Sequence, residues 1–328
     1  MMASEKKPLS FSVDATLCVG CGACVKACPM KILDVQDGLC VMTDFSRCLV
    51  CGTCMRECPV NAISIEGVRE RSQKAAVQTA PTGQMPSSDA KFTPILPALQ
   101  KLLDEAVKPR QVFEFDGVDI RSLNDFMLEG HACFYRAYTA DKVEKIGISR
   151  MNFYGTMTAD VLIITPGREY DLPYFVMDWD ESEDHIFFIC DLMPSDDPGR
   201  NLRYLTEYLY EPLEELYMNY SMIPGLKPSV FHWVRAIHSP YIITGTVEKE
   251  PRSNIDQLFN CALDYLKAWI TLWQRAQPRD PASPEMRLIH ERRKNIRALY
   301  KENDPGVGSL NKFLGDELAA ISLSIIEP

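Results

Sequence analysis

One pattern constrains this chain before anything else: a run of four cysteines, C-x2-C-x2-C-x3-C-P, that occurs twice. The first copy, CVGCGACVKACP, holds Cys18, Cys21, Cys24 and Cys28; the second, CLVCGTCMRECP, holds Cys48, Cys51, Cys54 and Cys58. Three thiolates on a tight loop can cap one face of an iron–sulfur cube, while the fourth reaches the other cluster. The spacing therefore predicts two [4Fe–4S] clusters. One takes Cys18, Cys21, Cys24 and Cys58, and the other takes Cys48, Cys51, Cys54 and Cys28. Gly20, Gly22 and Gly52 allow the close backbone wrap such a loop needs. Each run leads into a short apolar stretch, MKILDV and VNAISI, so a half-size unit is duplicated about two similar sites. Zinc knuckles and a secreted disulfide framework are the competing readings. Zinc sites use paired knuckles rather than four-cysteine runs ending in Pro. A disulfide framework would spread its cysteines, whereas nine of the twelve here precede residue 60, leaving only Cys133, Cys190 and Cys261 beyond. Cys40 lies outside both runs and reads as a packed thiol.

With 328 residues the chain has room for two domains, and 46% hydrophobic content is ample for a core. A net charge of −10 argues against nucleic acid as a partner. Apolar runs such as Val161–Thr165 and Ile186–Cys190 are strand-length, far below the roughly 20 residues that span a bilayer. The start, MMASEKKPLS, lacks the apolar core of a signal peptide, so a cytoplasmic protein without a membrane partner is expected. Three segments follow: 1–67 for the cysteine module, 68–94 as a polar flexible linker, and 95–328 as an independent domain. The first segment resembles bacterial two-cluster ferredoxins.

In the last segment VLIIT, YFVMD, HIFFICDL, VFHWV and YIITGTV read as strands, and WDESED (179–184) as a solvated loop. Helices follow, one through Leu205, Leu209, Leu213 and Leu216 and one from Ile255 to Trp273, the latter with Ser253 and Asp256 at capping-box spacing. Ser283-Pro284-Glu285 starts a third. Strands first and helices later predict an α+β fold with a mostly antiparallel sheet. No dinucleotide fingerprint or P-loop occurs, so no nicotinamide is expected, and the five histidines show no ligand spacing; flavin sites often leave no motif, so the residues by themselves do not exclude that cofactor.

The segment Pro166–Asp196 resembles the central sheet of ferredoxin-dependent bilin reductases. Tyr170, Asp171, Leu172, Pro173 and Asp178 match its Y-D-L-P-x-x-x-x-D stretch, and Asp191 and Pro194 match D-x-x-P. WVRAIHSPYII (233–243) resembles the family's strand pair around a Ser-Pro, LDYLKAWITL (263–272) its following helix, and the C-terminal stretch from YKENDPG its end. The resemblance implies an α/β/α sandwich with a central antiparallel sheet, fused to the two-cluster ferredoxin fold. It implies reduction of a linear tetrapyrrole such as biliverdin by single electrons from the fused clusters, with an upstream ferredoxin or redox enzyme as donor. Such a substrate is its own electron sink, so the resemblance implies no flavin or nicotinamide, and the protein supplies a pocket, an electron route and protons.

The resemblance makes Asp178 the catalytic proton donor, with Tyr170, Val161, Ser239, Arg168 and His238 as substrate-binding candidates. Counting back from Pro166 puts Val161 where some members carry His or Asn opposite the aspartate, and no acid stands at Ser149–Asn152, where the family has a Glu. The propionate-binding Arg after the Ser-Pro strand is absent, with Gly245 and Thr246 there; Arg150, Arg168, Arg200 and Arg235 are the candidates to replace it. The Ser-Pro strand is similar to that of red chlorophyll catabolite reductases as well, so a related pigment is an alternative substrate. A non-catalytic tetrapyrrole-binding electron-transfer protein is the alternative from another class.

Overall fold

The structure, a computed structural model, describes residues 10–66, 78–79, 91–115, 117–128, 130–304 and 306–328. These form two compact units. One contains residues 10–66 and 304–323, and the other runs from Gln78 to Asn303 and takes in Ser324–Pro328. Most of the expected 68–94 linker lies outside the described residues.

Six long strands build the second unit: β1 (His131–Ala140), β2 (Val143–Phe153), β3 (Met157–Pro166), β4 (Tyr174–Glu181), β5 (His185–Met193) and β6 (Ile243–Glu248). They pair antiparallel in the order β6-β5-β4-β3-β2-β1, and short strands at Phe126–Leu128 and Gln78–Thr79 extend the β1 edge. Period-2 alternation assigns each side chain to one face. On β4, Phe175, Met177 and Trp179 enter the main core, whereas Tyr174 and Val176 enter a smaller core on the opposite face.

Helices cover both faces, as the expected sandwich requires. The main core is closed by α1 (Ile95–Ala106), α2 (Glu211–Tyr220) and α4 (Ser253–Arg275), through Leu99, Leu213, Leu258, Leu266 and Trp269. Trp269 Nε1 also donates to Pro173 O at 2.9 Å, which satisfies the polar end of a buried indole. The smaller core packs against α3 (His232–Ile237) and α5 (Pro284–Asn303) through Ile237, Ile296 and Tyr300. Ser283 Oγ accepts from Met286 N at 3.3 Å and Pro284 opens α5, as the sequence expects.

Several local expectations fail. VFHWV is not a strand: His232–Ile237 is α3, where Val234 and Ile237 are both buried at helical spacing three apart. The strand pair expected around Ser239-Pro240 therefore has a helix as its first arm. Ser253 does not cap α4; Arg252 is the N-cap residue, and Asp256 pairs with it instead. Upstream of α2, Leu205–Tyr210 is a π-helical turn. Nor is 179–184 wholly a solvated loop, since β4 continues to Glu181. Trp179 meets Phe188 edge to face at 5.6 Å, and buried Glu181 pairs with Lys249 at 2.7 Å and accepts from Thr93 N at 2.8 Å. That last bond, with Phe92 buried, starts the packed part of this unit before residue 95.

Gly147 is needed where the C-terminal residues cross β2: a Cβ there would lie 1.9 Å from Ile325 O. Lys145 Nζ holds the same tail by donating to Ser324 O at 2.8 Å.

The first unit repeats itself as its sequence does. Each cysteine run makes a short helix, Ala23–Ala27 or Thr53–Arg56, preceded by a left-handed glycine, Gly22 (φ 72°) or Gly52 (φ 69°). The two apolar stretches become strands Leu33–Gln36 and Ile63–Glu66. The former pairs with Leu39–Met42 and the latter with Ser10–Val13. Two C-terminal helices begin here, α6 (Gly306–Leu314) and α7 (Asp316–Ile326), so residues 304–323 group with the cysteine module and not with the 95–303 sheet. No helix among the described residues is long and apolar enough to cross a membrane.

Candidate functional site

In the first unit, Cys18, Cys21, Cys24 and Cys58 line one cavity of about 300 Å³ that opens to solvent. Cys48, Cys51, Cys54 and Cys28 line a second of about 320 Å³. Each run's fourth cysteine thus stands with the other run's first three, an exchange produced by the antiparallel return of the duplicated halves. Among the described residues, no three Cys, His, Asp or Glu side chains converge at single-ion spacing. The thiols surround a space instead, as a polynuclear group needs.

Burial pushes the Cys28, Cys48 and Cys54 thiols up from their ordinary values. Buried thiols ionise only against compensating positive charge, and bound iron supplies it. Backbone amides also face the sulfurs: Val50 N donates to Cys48 Sγ at 3.4 Å and Ala62 N to Cys58 Sγ at 3.2 Å. These residues fit iron–sulfur ligation, in which amide donors settle the added charge of a reduced cluster. Gly20 is at φ 64° with the position of its missing Cβ only 2.6 Å from Gly38 O, so no other residue fits this loop unchanged. Cys40 lines the first cavity, and burial, with Cys24 beside it, pushes its thiol up to about 12.

In the second unit, Asp178 sits mid-strand on the face that α3 and α5 cover. The β3–β4 register sets Val161 directly opposite it, as counting from Pro166 expects, and Ile189 of β5 flanks it on the other side. Along this row Val161, Asp178 and Ile189 are half-buried, and so are Ala159, Asp180, Phe187 and Thr246 beyond them. The far end of the same face, at Ile163, Val176 and Met193, is closed by Ile237 and Ile296. The result is a floor that stays partly open, with Asp178 between two apolar neighbours and Asp180 two residues further along the same face. Trp233 and Leu299 pack against the same cluster from the helices, and Trp233 meets Tyr300 edge to face at 5.2 Å.

His238 and Ser239 come together on that face through a residue the sequence marked only as a motif match. Fully buried Asp191 takes His238 Nδ1 at 3.0 Å and Ser239 N at 2.8 Å, and accepts from Ser239 Oγ as well. The other imidazole nitrogen, Nε2, meets Tyr300 Oη at 3.3 Å. Tyr300 carried no signal in the sequence, because nothing in a helical run shows which residue will face a histidine 62 positions away.

The remaining candidates lie apart. Tyr170 packs against the main core on the opposite face. Arg168 is 78% exposed and 3.7 Å from Glu144. Arg150 is turned to the opposite face by strand alternation, where it pairs with fully buried Asp160. Arg200 pairs with Asp196, and Arg235 donates to Ser229 O. Arg293, which sequence reasoning passed over in the run ERRK, is buried and donates to Tyr170 O at 2.7 Å and Gly167 O at 3.3 Å, which anchors the β3–β4 connection.

Comparison with known proteins places these features. The profile of a 4Fe–4S dicluster domain matches residues 17–62, and that of the ferredoxin-dependent bilin reductases matches residues 127–322. A phycoerythrobilin:ferredoxin oxidoreductase of Gloeobacter violaceus is 29% identical over 191 residues, 55% of this chain and 72% of that protein. The crystal structure of tomato phytochromobilin synthase in complex with biliverdin shares the fold, with a TM-score of 0.56 and 19% identity over 70% of this chain and 79% of that one. The chain is an oxidoreductase that belongs to the ferredoxin-dependent bilin reductase family and carries a 4Fe–4S domain ahead of the reductase sheet.

Proposed function

We propose that this protein reduces a linear tetrapyrrole of the biliverdin type in the cytoplasm, using electrons supplied one at a time within its own chain. The observation that carries this reading is Asp178, the carboxyl flanked by Val161 and Ile189 on the half-open sheet face. Two [4Fe–4S] clusters, when bound, supply single electrons. The first is held by Cys18, Cys21, Cys24 and Cys58 and the second by Cys48, Cys51, Cys54 and Cys28, and an external ferredoxin or redox enzyme replenishes them. No flavin or nicotinamide enters the scheme.

The apolar row suits the conjugated face of a flat pigment and excludes water from it. Asp178 then donates a proton to the pigment as charge builds on it. Val161 opposite can neither give nor accept one, so the protonation begins from the β4 side. His238, held by Asp191 and Tyr300, and Ser239, held by the same aspartate, shape the closed end of this face beside the pigment. Tyr170 and Arg168 have no part in this contact.

The test is anaerobic turnover of biliverdin by the full chain with a chemical reductant, followed by product analysis. Asp178→Asn keeps shape and hydrogen bonding but has no proton to give. It is expected to bind pigment normally and stall as a one-electron radical, whereas Asp184→Asn, at the β4–β5 turn, proceeds. Wild-type turnover by Asp178→Asn would remove Asp178 from the chemistry. Turnover of a red chlorophyll catabolite in place of biliverdin would change the substrate.

A further inference from the structure

We propose that Lys312 of α6 biases the electron toward the second cluster, by holding its ammonium against the backbone of that cluster's ligand loop. The inference rests on the reading above, that each cysteine quartet holds a [4Fe–4S] cluster.

The contact is specific. Lys312 Nζ donates to Cys48 O at 2.6 Å and to Ser46 O, and one turn earlier Ser309 Oγ donates to Leu49 O. Gly308 makes the approach possible, since a Cβ there would come 3.0 Å from Val50 Cγ1. Val50 stands where the first run has Gly20, and it takes up that loop's left-handed backbone at φ 62°. A β-branched residue is costly in that conformation, so the second loop differs from the first at the place where α6 meets it.

The duplicated sites are otherwise alike, and the difference is electrostatic. Burial penalises added negative charge at both, with Cys24 and Cys54 at 6% and 8% exposure. The position matching Arg56 in the first run is Lys26, which is exposed, and the first loop presents Val19 at 68% exposure. At the second site Arg56 donates to Cys51 O at 2.9 Å. Lys312 is the further cation that α6 brings to this loop, at Cys48 O.

Reduction adds one negative charge to a cluster, and a neighbouring cation stabilises the reduced form. One electron leaves the first cluster and arrives at the second. No bond forms and no proton moves, and the first cluster is refilled by a low-potential one-electron donor. A positive charge held at the backbone of the ligand loop would shift that distribution roughly tenfold, which for one electron is about 59 mV.

The experiment is an EPR-monitored reductive titration of the anaerobic full chain, with iron counted in every sample. Lys312→Gln is expected to lower one of two midpoint potentials by about 59 mV and leave the other in place. Lys312→Arg is expected to restore the wild-type pattern. Ser309→Ala removes the separate hydroxyl contact to Leu49 O and keeps the charge and both hydrogen bonds of Lys312, and Lys26→Gln removes an exposed cation near the first run; both are expected to move neither potential. Unchanged potentials in an iron-replete Lys312→Gln protein would overturn the proposal, as would an equal shift in Ser309→Ala. If Lys312→Gln loses iron, Lys312→Arg and Ser309→Ala still decide, because a shift in either one refutes a pure charge effect. Wild-type protein that binds no iron after reconstitution would instead overturn the cluster reading, and the bias with it.

Discussion

Replacing Asp191 by asparagine tests whether the candidate site is built around one buried carboxylate. Asp191 is fully buried and takes three contacts, from His238 Nδ1, Ser239 N and Ser239 Oγ. An asparagine can keep its carbonyl oxygen toward His238 Nδ1 and Ser239 N and turn its NH2 to Ser239 Oγ, a hydroxyl that can accept, so the three contacts lose their charge assistance instead. The difference between a charged and a neutral bond is about 1–1.5 kcal/mol each. Part of that loss is offset because no carboxylate then has to be desolvated, leaving a net cost of about 3 kcal/mol. The four tryptophans, Trp179, Trp233, Trp269 and Trp273, all lie in the second unit, so their fluorescence in urea follows that unit's unfolding. With a urea dependence of about 3 kcal/mol per molar, the midpoint falls by about 1 M. Pigment affinity should fall with it, because His238 and Ser239 lose their common anchor. A midpoint within about 0.3 M of wild type would show that the three contacts contribute little, and would remove the argument that His238 is held in one orientation.

Two further outcomes follow from other parts of the structure. Cys58→Ser should damage the cluster bound by the first run and spare that of the second, since Cys58 lines the first cavity; EPR of the reduced protein after reconstitution checks which signal is lost. Asp160 yields a pH dependence. Burial, against the opposing pull of Arg150, raises its carboxyl from 3.8 to about 6 in the folded chain. The folded state therefore holds this proton longer than the unfolded state, so its stabilising contribution is present in full below pH 3.8 and is lost as pH rises through about 6. Urea midpoints for wild type and Asp160→Asn, compared between those two values, should diverge in slope; parallel curves would refute the assignment.

Three members of each quartet were legible in the spacing because ligand loops are local, with Gly22 and Gly52 turning the backbone within the runs themselves, and the fourth followed from the exchange that the doubled motif makes. Strand alternation was legible for the same reason, and β3, β4 and β5 appear where VLIIT, YFVMD and HIFFICDL stand. The opposition of Val161 and Asp178 was implied by the family resemblance, and the β3–β4 register carries it. Elsewhere local pattern misled. VFHWV is apolar enough for a strand, yet Val234 and Ile237 are both buried, and a helix puts residues three apart on one side where a strand would not. Asp178 and Asp160 are both strand aspartates in the sequence. The register turns one to the half-open face and buries the other against Arg150. The role of Asp191 needed His238 and Ser239 brought from 47 and 48 residues away. Lys312 meets Cys48 across 264 residues, a separation at which no periodicity or spacing rule operates, so only the folded chain could put a cation beside one cluster loop and not its twin.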